Sequence, residues 1–113
     1  MARIAWADPA LGDLDEIAEY IALDNETAAK GLVRRVFDTV QRLRDFPDSG
    51  RRPPELPRSR YRETIIGPCR VFYRHTQGTV FILYVMRSER ELRNFMLIDR
   101  DGRGSRREAT TRP

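Results

Sequence analysis

The spacing of the apolar residues changes once along the chain, from a helical period before Pro47 to a strand-like pattern after Arg60. Before the change, apolar residues recur every three or four positions in two stripes separated by Asp24-Asn25. Two amphipathic helices joined by so short a break are expected to form an antiparallel hairpin, which ends at Phe46-Pro47. The first stripe contains Leu11, Leu14, Ile17, Ala18 and Ile21, and the second contains Ala29, Leu32, Val33, Val36, Phe37, Val40 and Leu43.

Three runs rich in β-branched and aromatic residues follow, at residues 61–66, 69–75 and 79–86. The separators Gly67-Pro68 and Gln77-Gly78 predict tight turns, and therefore an antiparallel meander. The third run is almost continuously apolar. A strand without a polar face is expected in the centre of the sheet, where both faces are covered.

The first nine residues predict how the chain enters the hairpin. Arg3–Ala7 alternates loosely around Ile4 and Trp6, which is typical of a short strand. Asp8 is a favourable N-cap, and Pro9 suits the first helical position because an N–H there would have no helical partner. A strand is therefore expected to lead directly into the first helix.

A short helix is predicted after the last strand, over residues 88–98. Ser88 and Glu91 stand in the capping-box relation. The apolar residues at helical spacing are Leu92, Phe95 and Met96. Residues 99–113 are polar, contain several arginines and lack periodicity, so a flexible tail is expected there.

The predicted order is a strand, two helices, three strands and a short helix. Because helices and strands are segregated rather than alternating, this order predicts an α+β fold in which an antiparallel sheet packs on the helical hairpin. The length of 113 residues suits one compact core. A single domain is expected over residues 1–98, followed by the flexible Arg-rich tail at 99–113.

The charged residues are distributed unevenly along the chain. Residues 1–30 carry seven carboxylates and two basic groups, whereas residues 51–113 carry fifteen arginines and seven carboxylates. A cationic second half predicts an anionic partner, either nucleic acid or an acidic protein. Twenty of the 21 basic residues are Arg, whose planar guanidinium suits paired contacts with carboxylate or phosphate.

Composition also indicates the cellular compartment and limits the metal and cofactor chemistry that is expected. No stretch approaches the roughly 20 apolar residues that a membrane-spanning helix needs. The single cysteine, Cys69, cannot form an intrachain disulfide, which fits the reducing cytoplasm. Cys69 and His75 share a predicted strand and lie about 20 Å apart at the usual strand rise. No metal site is therefore predicted, and no cofactor is expected.

The arginines of the second half are expected to form one surface. Arg70, Phe72 and Arg74 share one face of the second predicted strand because strand side chains alternate, and both arginines are expected to reach solvent. Others are expected around them, namely Arg51, Arg52, Arg62, Arg87, Arg90 and Arg93. The alternative is that these arginines are solubilising, or are paired with carboxylates such as Glu55 and Glu63.

Seven short segments occur together in an order typical of one protein family. They are residues 13–21, 28–29, 43–47, 50–51, 61–63, 67–74 and 80–87. Together they resemble the ParE/RelE family of toxins, and the likeness extends over residues 3–97. Their co-occurrence is more specific than any single segment.

The resemblance implies a toxin that arrests its host cell and is neutralised by a cognate antitoxin encoded beside it. The ParE branch of the family inhibits DNA gyrase without being an enzyme, whereas the RelE branch cleaves mRNA on the ribosome. RNA cleavage requires groups that activate the 2′-hydroxyl, stabilise the developing charge and protonate the leaving oxygen. Arg70 matches a RelE-like arginine, but Ser88 and Arg93 stand where the RelE-like pattern has an arginine and a tyrosine.

This incomplete pattern favours the ParE branch. We therefore predict gyrase inhibition with no catalytic residues, and keep ribosome-dependent mRNA cleavage as the alternative. For an endoribonuclease, which would need no metal, His75 is a further acid–base candidate beside the expected catalytic residues, which are Arg70, Arg87, Arg90 and Tyr84.

The resemblance also implies two binding surfaces. The expected gyrase contacts are Arg74, Arg87, Arg90 and Arg93. The antitoxin is expected to lay an amphipathic segment along apolar surface left between the hairpin and the sheet, either as a helix in a groove or as an added strand. Being acidic, it is expected to contact arginines as well. Its expected contacts are Leu14, Ile17, Ile21, Arg62 and Arg70, although the three apolar residues fit a plain core position equally well. A homodimer and a toxin–antitoxin hetero-oligomer both remain open.

Overall fold

Strand β1 (Arg3–Ala7) opens the chain and leads directly into helix α1 (Asp8–Ala22), as predicted. The structure is a computed structural model that describes residues 1–102 in full and residues 106–108 by their backbone. The predicted α+β class is confirmed. The remaining elements are helix α2 (Glu26–Arg42), strands β2 (Arg62–Ile66), β3 (Cys69–Thr76) and β4 (Thr79–Arg87), helix α3 (Asn94–Gly102) and strand β5 (Arg106–Glu108).

The strands form one sheet in the order β2-β3-β4-β1-β5, so β4 lies in the centre as its apolar sequence predicts. One pairing differs from the predicted antiparallel sheet: β1 runs parallel to β4, with Ile4 opposite Val80 and Trp6 opposite Ile82. The chain travels from β1 to β4 through two helices and two strands, and no tight turn joins them. Packing of the hairpin therefore sets the direction of β1, and a long connection permits a parallel pair.

The turn between β3 and β4 fixes the register of this central hairpin. Gln77 and Gly78 both have positive φ, at 48° and 77°. Two positive values are the signature of the two-residue type I′ turn, whose twist matches that of the strands. Thr76 consequently pairs with Thr79, and His75 with Val80.

The two long helices form the predicted antiparallel hairpin. Leu11 and Leu14 of α1 lie beside Phe37 of α2, whereas Ala22 at the end of α1 lies beside Glu26 at the start of α2. The contacts therefore run in opposite directions along the two helices.

Both helix starts are set by local backbone. The Asn25 side chain accepts a hydrogen bond from the Ala28 N–H at 3.0 Å and so caps α2. For α1, the N-cap is Ala7 rather than the predicted Asp8, because β1 continues through Ala7 and its backbone is extended there. Asp8 is already helical, and Pro9 occupies the first turn.

The sheet is covered on both faces. One face packs against the hairpin in a cluster that includes Leu14, Val36 and Tyr73. The other packs against α3 and the segment before it, through a cluster that includes Phe72 and Leu97. The two faces of β4 are therefore both buried, as its sequence predicts.

The last helix lies further along the chain than predicted. It begins at Asn94 rather than at residue 88. The predicted capping box of Ser88 and Glu91 does not form, because the Ser88 N–H donates to the Pro68 carbonyl at 2.8 Å. Phe95 is exposed and Leu97 takes the buried position. Part of the predicted tail is structured, since α3 continues through residue 102 and β5 pairs with β1. Residues 103–105 and 109–113, on which the remaining tail prediction falls, lie outside the described residues.

Candidate interaction surfaces

Arg70 lies at the centre of a buried charged network, and the expectation that it reaches solvent is wrong. Its Nε donates to Glu63 Oε1 at 2.7 Å, and its Nη1 and Nη2 donate to the two carboxylate oxygens of Glu55 at 2.8 and 2.7 Å. Arg51 Nε donates to the other oxygen of Glu63 at 2.8 Å. The Glu63 side chain is fully buried, and that of Arg70 is 8% exposed. The alternative of pairing with Glu55 and Glu63 is therefore correct for Arg70.

The network joins four parts of the chain. Glu63 lies on β2, Arg70 lies on β3, and Glu55 comes from the connection after α2. Glu55 also accepts the Leu92 N–H at 3.1 Å, and Arg70 Nη1 donates to the Arg90 carbonyl at 3.3 Å. The segment between β4 and α3 is thus anchored by the same charges. The hydrogen bonds from Arg70 lower the pKa of Glu55 from its ordinary 4.5 to about 2.

This shift makes stability depend on pH in the acid range. Because the folded-state pKa of Glu55 is lowered, its contribution is fully present above 4.5 and is lost as pH falls toward 2. A change of that size corresponds to at most about 3 kcal/mol. We expect the free energy of unfolding, measured by urea denaturation, to fall less steeply over this window in Glu55→Gln than in the wild type. The exposed control Glu16→Gln should keep the wild-type slope, and equal slopes for all three proteins would contradict the assignment.

Arg74 is also held by a carboxylate. Its Nε and Nη2 donate to the two oxygens of Asp101 at 2.9 and 3.0 Å. The same carboxylate accepts from Arg60 at 3.0 Å and from the Tyr61 hydroxyl at 3.3 Å. The Arg74 guanidinium lies over the Phe81 ring at 4.9 Å. Arg74 therefore fastens the end of α3 to β3.

A third ion pair lies beside the part of β4 that extends past its pairing with β1. Arg100 Nη2 donates to Asp13 Oδ1 at 3.0 Å. Asp13 accepts the Val85 N–H at 3.0 Å, and Arg100 donates to the Leu83 carbonyl at 3.0 Å, so this pair satisfies two backbone groups that β1 does not reach. The Arg100 guanidinium lies 3.6 Å from the centre of the Tyr84 ring. Tyr84 is thus covered by an arginine on one face.

The other predicted arginines are more accessible. Arg87 is paired with Glu89 at 2.8 Å and is about one-third exposed, and Arg93 lies 3.8 Å from Glu91 and is largely exposed. Among the described residues, no partner is found for the Arg90 side chain, which is exposed. These three arginines lie at the end of β4 and in the segment that enters α3.

Arg62 has a different setting, on the outermost strand. Its Nη1 donates to the Gly50 carbonyl at 2.9 Å, and its Nε lies 3.7 Å from Asp48. One quarter of its side chain is exposed. Arg62 therefore remains partly available to a partner, in contrast to Arg70.

The residues considered for metal or nucleophilic chemistry have structural settings. Cys69 is fully buried, and burial raises the pKa of its thiol. His75 Nδ1 lies 3.0 Å from Asp48 Oδ1, and this hydrogen bond lowers the pKa of Asp48. In the described part of the chain, no group of three or more His, Cys, Asp or Glu side chains is placed to hold a metal ion.

An apolar groove runs between the helices of the hairpin. The antitoxin surface was predicted between the hairpin and the sheet, with Leu14, Ile17 and Ile21 as its floor. Leu14 is instead buried in the core, and Ile17 and Ile21 pack half-buried against that core. The wider end of the groove, about 440 Å³, is lined by Ala18, Glu19, Ala22, Glu26, Ala29, Lys30 and Val33. An adjoining hollow of about 360 Å³ is lined by Leu11, Gly12, Leu14, Asp15, Val33 and Phe37. The sequence signal for this groove is a pair of alanines four residues apart on α1, Ala18 and Ala22. The apolar stripe predicted for this helix included Ala18 and omitted Ala22.

Comparison with known proteins identifies the family. Residues 4–92 match the family described as the ParE toxin of type II toxin-antitoxin systems, parDE. The chain belongs to the ParE toxin family. The resemblance of its short segments to ParE/RelE toxins is thereby confirmed.

Individual relatives agree with this placement. The ParE-family chain is 30% identical over 91 residues to the toxin RelE2 of Caulobacter vibrioides, covering 80% of this chain and 99% of that protein. It is 45% identical over 49 residues to a toxin named Y4kP of Sinorhizobium fredii, a match that spans 43% of this chain and 51% of that relative. A solved structure, the chromosomal ParDE toxin-antitoxin system from P. aeruginosa, has the same fold, with a TM-score of 0.66 and 23% identity over 79% of this chain and 98% of that one.

The structure adds one observation on membrane association. No helix among the described residues of the ParE-family chain has the length and apolar character needed to span a bilayer.

Proposed function

We propose that this ParE-family toxin inhibits DNA gyrase by binding it directly in the cytoplasm, and that a cognate antitoxin neutralises it. The position of Arg70 carries the proposal. An arginine that stabilises a scissile phosphate must face the RNA, but Arg70 is buried and donates to the carboxylates of Glu55 and Glu63. A guanidinium already satisfied by two carboxylates has little attraction left for phosphate.

The other members of the alternative catalytic set also support binding rather than cleavage. The Tyr84 ring lies beneath the Arg100 guanidinium, and Arg87 is paired with Glu89. Arg90 is accessible, yet it lies in the segment after β4, where the carbonyl of the same residue accepts from Arg70. An endoribonuclease needs an acid, a base and a cation aimed at one phosphate. In this set, Arg70, Arg87 and Tyr84 each contact a separate partner, whereas the Arg90 side chain is accessible.

The proposed gyrase contacts differ in accessibility. Arg90 and Arg93 are exposed, and Arg87 is partly exposed beside Glu89. Arg74 is held by Asp101 and reaches a partner only by leaving that carboxylate. We therefore place the main electrostatic contact at Arg90 and Arg93 and give Arg74 a positioning role for α3.

The antitoxin is proposed to occupy the groove between α1 and α2. Helix-in-groove recognition requires an apolar channel with a polar rim, and the lining of small apolar residues with Glu19, Glu26 and Lys30 fits that description. Arg62 remains a proposed contact because it is partly exposed. Arg70 is unavailable to the antitoxin while Glu55 and Glu63 hold it.

Filling the groove should separate neutralisation from toxicity. We expect Ala22→Arg to weaken antitoxin binding by at least about 10-fold, because a long charged side chain would occupy the site of an apolar contact. Leu23→Arg is the matched control, since Leu23 is the next residue, is exposed and does not line the groove. Titration of each toxin variant with purified antitoxin measures both affinities. Equal affinity for the two variants would contradict the proposed antitoxin site.

One pair of assays tests the proposed function. Purified toxin is added to gyrase supercoiling reactions and, separately, to ribosomes translating a labelled message. The proposal predicts loss of supercoiling, its recovery on addition of antitoxin, and an intact message. Normal supercoiling with codon-specific cuts in the message would instead establish the endoribonuclease alternative.

A further inference from the structure

Helix α3 has one buried and one exposed apolar face. Leu97 is fully buried in the cluster beneath the helix, but Phe95 is 69% exposed and Ile98 is 53% exposed. Residues three positions apart are neighbours on a helix surface, so these two side chains form one apolar patch. Sequence analysis assigned Phe95 to the buried stripe, so the patch appears only in the structure.

The helix that carries this patch is firmly positioned. Arg100 ties it to Asp13 of α1, and Asp101 ties it to Arg74 of β3 and to Arg60. Each of these carboxylates accepts at least two hydrogen bonds from arginine. A partner that binds the patch would not have to order the helix first, which lowers the entropic cost of binding.

The part of the chain that carries the patch is rich in arginine. Residues 51–101 contain eleven arginines and six carboxylates. Arg90 and Arg93 lie in the segment before α3 and are exposed, and the carboxylates beside them in sequence are Glu89 and Glu91. Glu89 pairs with Arg87 and Glu91 lies 3.8 Å from Arg93, so among the described residues Arg90 is left without a carboxylate. The exposed residues of α1, in contrast, include Asp15, Glu16 and Glu19. The segment before α3 therefore suits an acidic partner better than the exposed side of α1 does.

We propose that the α3 patch, defined as Phe95 and Ile98 with Arg90 and Arg93 at its border, is the surface that holds the toxin's target, and that its occupant is an acidic region of a protein. The inference rests on the proposed function and adds to it the location and chemistry of the contact. Aromatic and Arg side chains dominate the energetics of protein interfaces. Two apolar side chains favour a protein occupant over nucleic acid, because nucleic acid is held chiefly through its phosphates and neither side chain can pair with a phosphate.

The patch and the antitoxin groove lie on different sides of the molecule. The hairpin covers one face of the sheet and α3 covers the other, with separate apolar clusters beneath them. A change in the patch should therefore affect the target and leave the antitoxin site intact. This independence provides an internal control for folding.

The chain offers a matched pair of double variants for the test. Phe95→Ala with Ile98→Ala removes the patch. The control, Phe46→Ala with Ile65→Ala, removes one Phe and one Ile side chain that are 65% and 50% exposed outside α3. A third variant, Arg90→Glu with Arg93→Glu, reverses the border charge. Each is compared with the wild type for growth arrest on induced expression, inhibition of gyrase supercoiling, affinity for antitoxin and thermal unfolding.

We expect the patch variant to lose growth arrest and to need at least about 10-fold more protein for equal gyrase inhibition, with antitoxin affinity and melting temperature unchanged. The charge-reversal variant should lose activity similarly, and the control variant should match the wild type. If the patch variant arrests growth as strongly as the wild type, the inference is overturned. This holds even if the wild-type toxin inhibits gyrase as proposed.

Two further outcomes separate this inference from the proposed function. If the wild type arrests growth without inhibiting gyrase and the patch variant loses arrest, gyrase is the wrong target but the patch stands. A duplex DNA probe tests the other class of occupant. The occupant would be nucleic acid if the wild type binds that probe in a salt-sensitive way, Arg90→Glu with Arg93→Glu abolishes this binding, and the patch variant keeps both the binding and the toxicity. That result would overturn the inference.

Discussion

Replacement of Arg70 by Met is expected to lower the free energy of unfolding by about 3–5 kcal/mol, because it leaves buried carboxylates without their cation. Glu63 is fully buried and would keep only Arg51, which is itself largely exposed. Glu55 would lose both of its hydrogen bonds from Arg70. Since small domains have total stabilities of about 5–15 kcal/mol, a large part of the fold's stability depends on this one side chain. Urea denaturation followed by circular dichroism measures the loss.

The same substitution at an exposed arginine is the control. Arg90→Met should change the free energy of unfolding by less than about 0.5 kcal/mol, since its side chain is exposed. Adding Glu63→Gln to Arg70→Met should recover part of the loss, because the buried negative charge is then removed. An Arg70→Met protein as stable as Arg90→Met would show that the network contributes nothing.

Gly50→Ala is the second substitution with a large expected effect. A Cβ at residue 50 would lie 2.6 Å from the Tyr73 hydroxyl oxygen and 2.7 Å from the Glu63 carbonyl oxygen. Neither neighbour can move freely: Tyr73 is fully buried and accepts the Gly50 N–H at 2.9 Å, and Glu63 pairs through its backbone with Arg51. We expect a loss of about 2–3 kcal/mol from this overpacking, measured as a lower urea midpoint.

Gly12 provides the matched comparison. It lies in α1, is exposed, and has nothing within 4 Å of the Cβ that alanine would add. Gly12→Ala should therefore stabilise the protein by about 0.5–1 kcal/mol, because alanine restricts the unfolded chain and favours helix. Opposite signs for the two glycine substitutions are the expected result. A neutral Gly50→Ala would contradict the close packing of the connection on β2 and β3.

The elements that could be predicted from sequence are those specified by local signals. The hairpin follows from apolar spacing within each helix, and the turn at Gln77-Gly78 follows from its own backbone preferences. The direction of β1 and the start of α3 depend on contacts distant in sequence. Leu92 carries a helical apolar spacing, but its N–H donates to Glu55, which keeps that segment outside the helix.

The candidate sites were predicted only in part, for a similar reason. Strand alternation correctly placed Arg70 and Arg74 on the face that also bears Phe72, but it does not distinguish an exposed arginine from one that is paired beneath a connection or a helix. The carboxylates that hold them, Glu55 and Asp101, belong to the connection after α2 and to α3. The distribution of charged residues along the sequence therefore identified the cationic half of the chain. Contacts between residues distant in sequence decide which of its arginines are accessible to a partner.

Supercoiling rate as a function of the molar ratio of toxin to gyrase tests most directly whether the protein acts by binding. A toxin that holds its target through one surface should give inhibition that saturates at a fixed ratio and that added antitoxin reverses. Supercoiling that continues at the wild-type rate in a large excess of folded toxin would contradict the account.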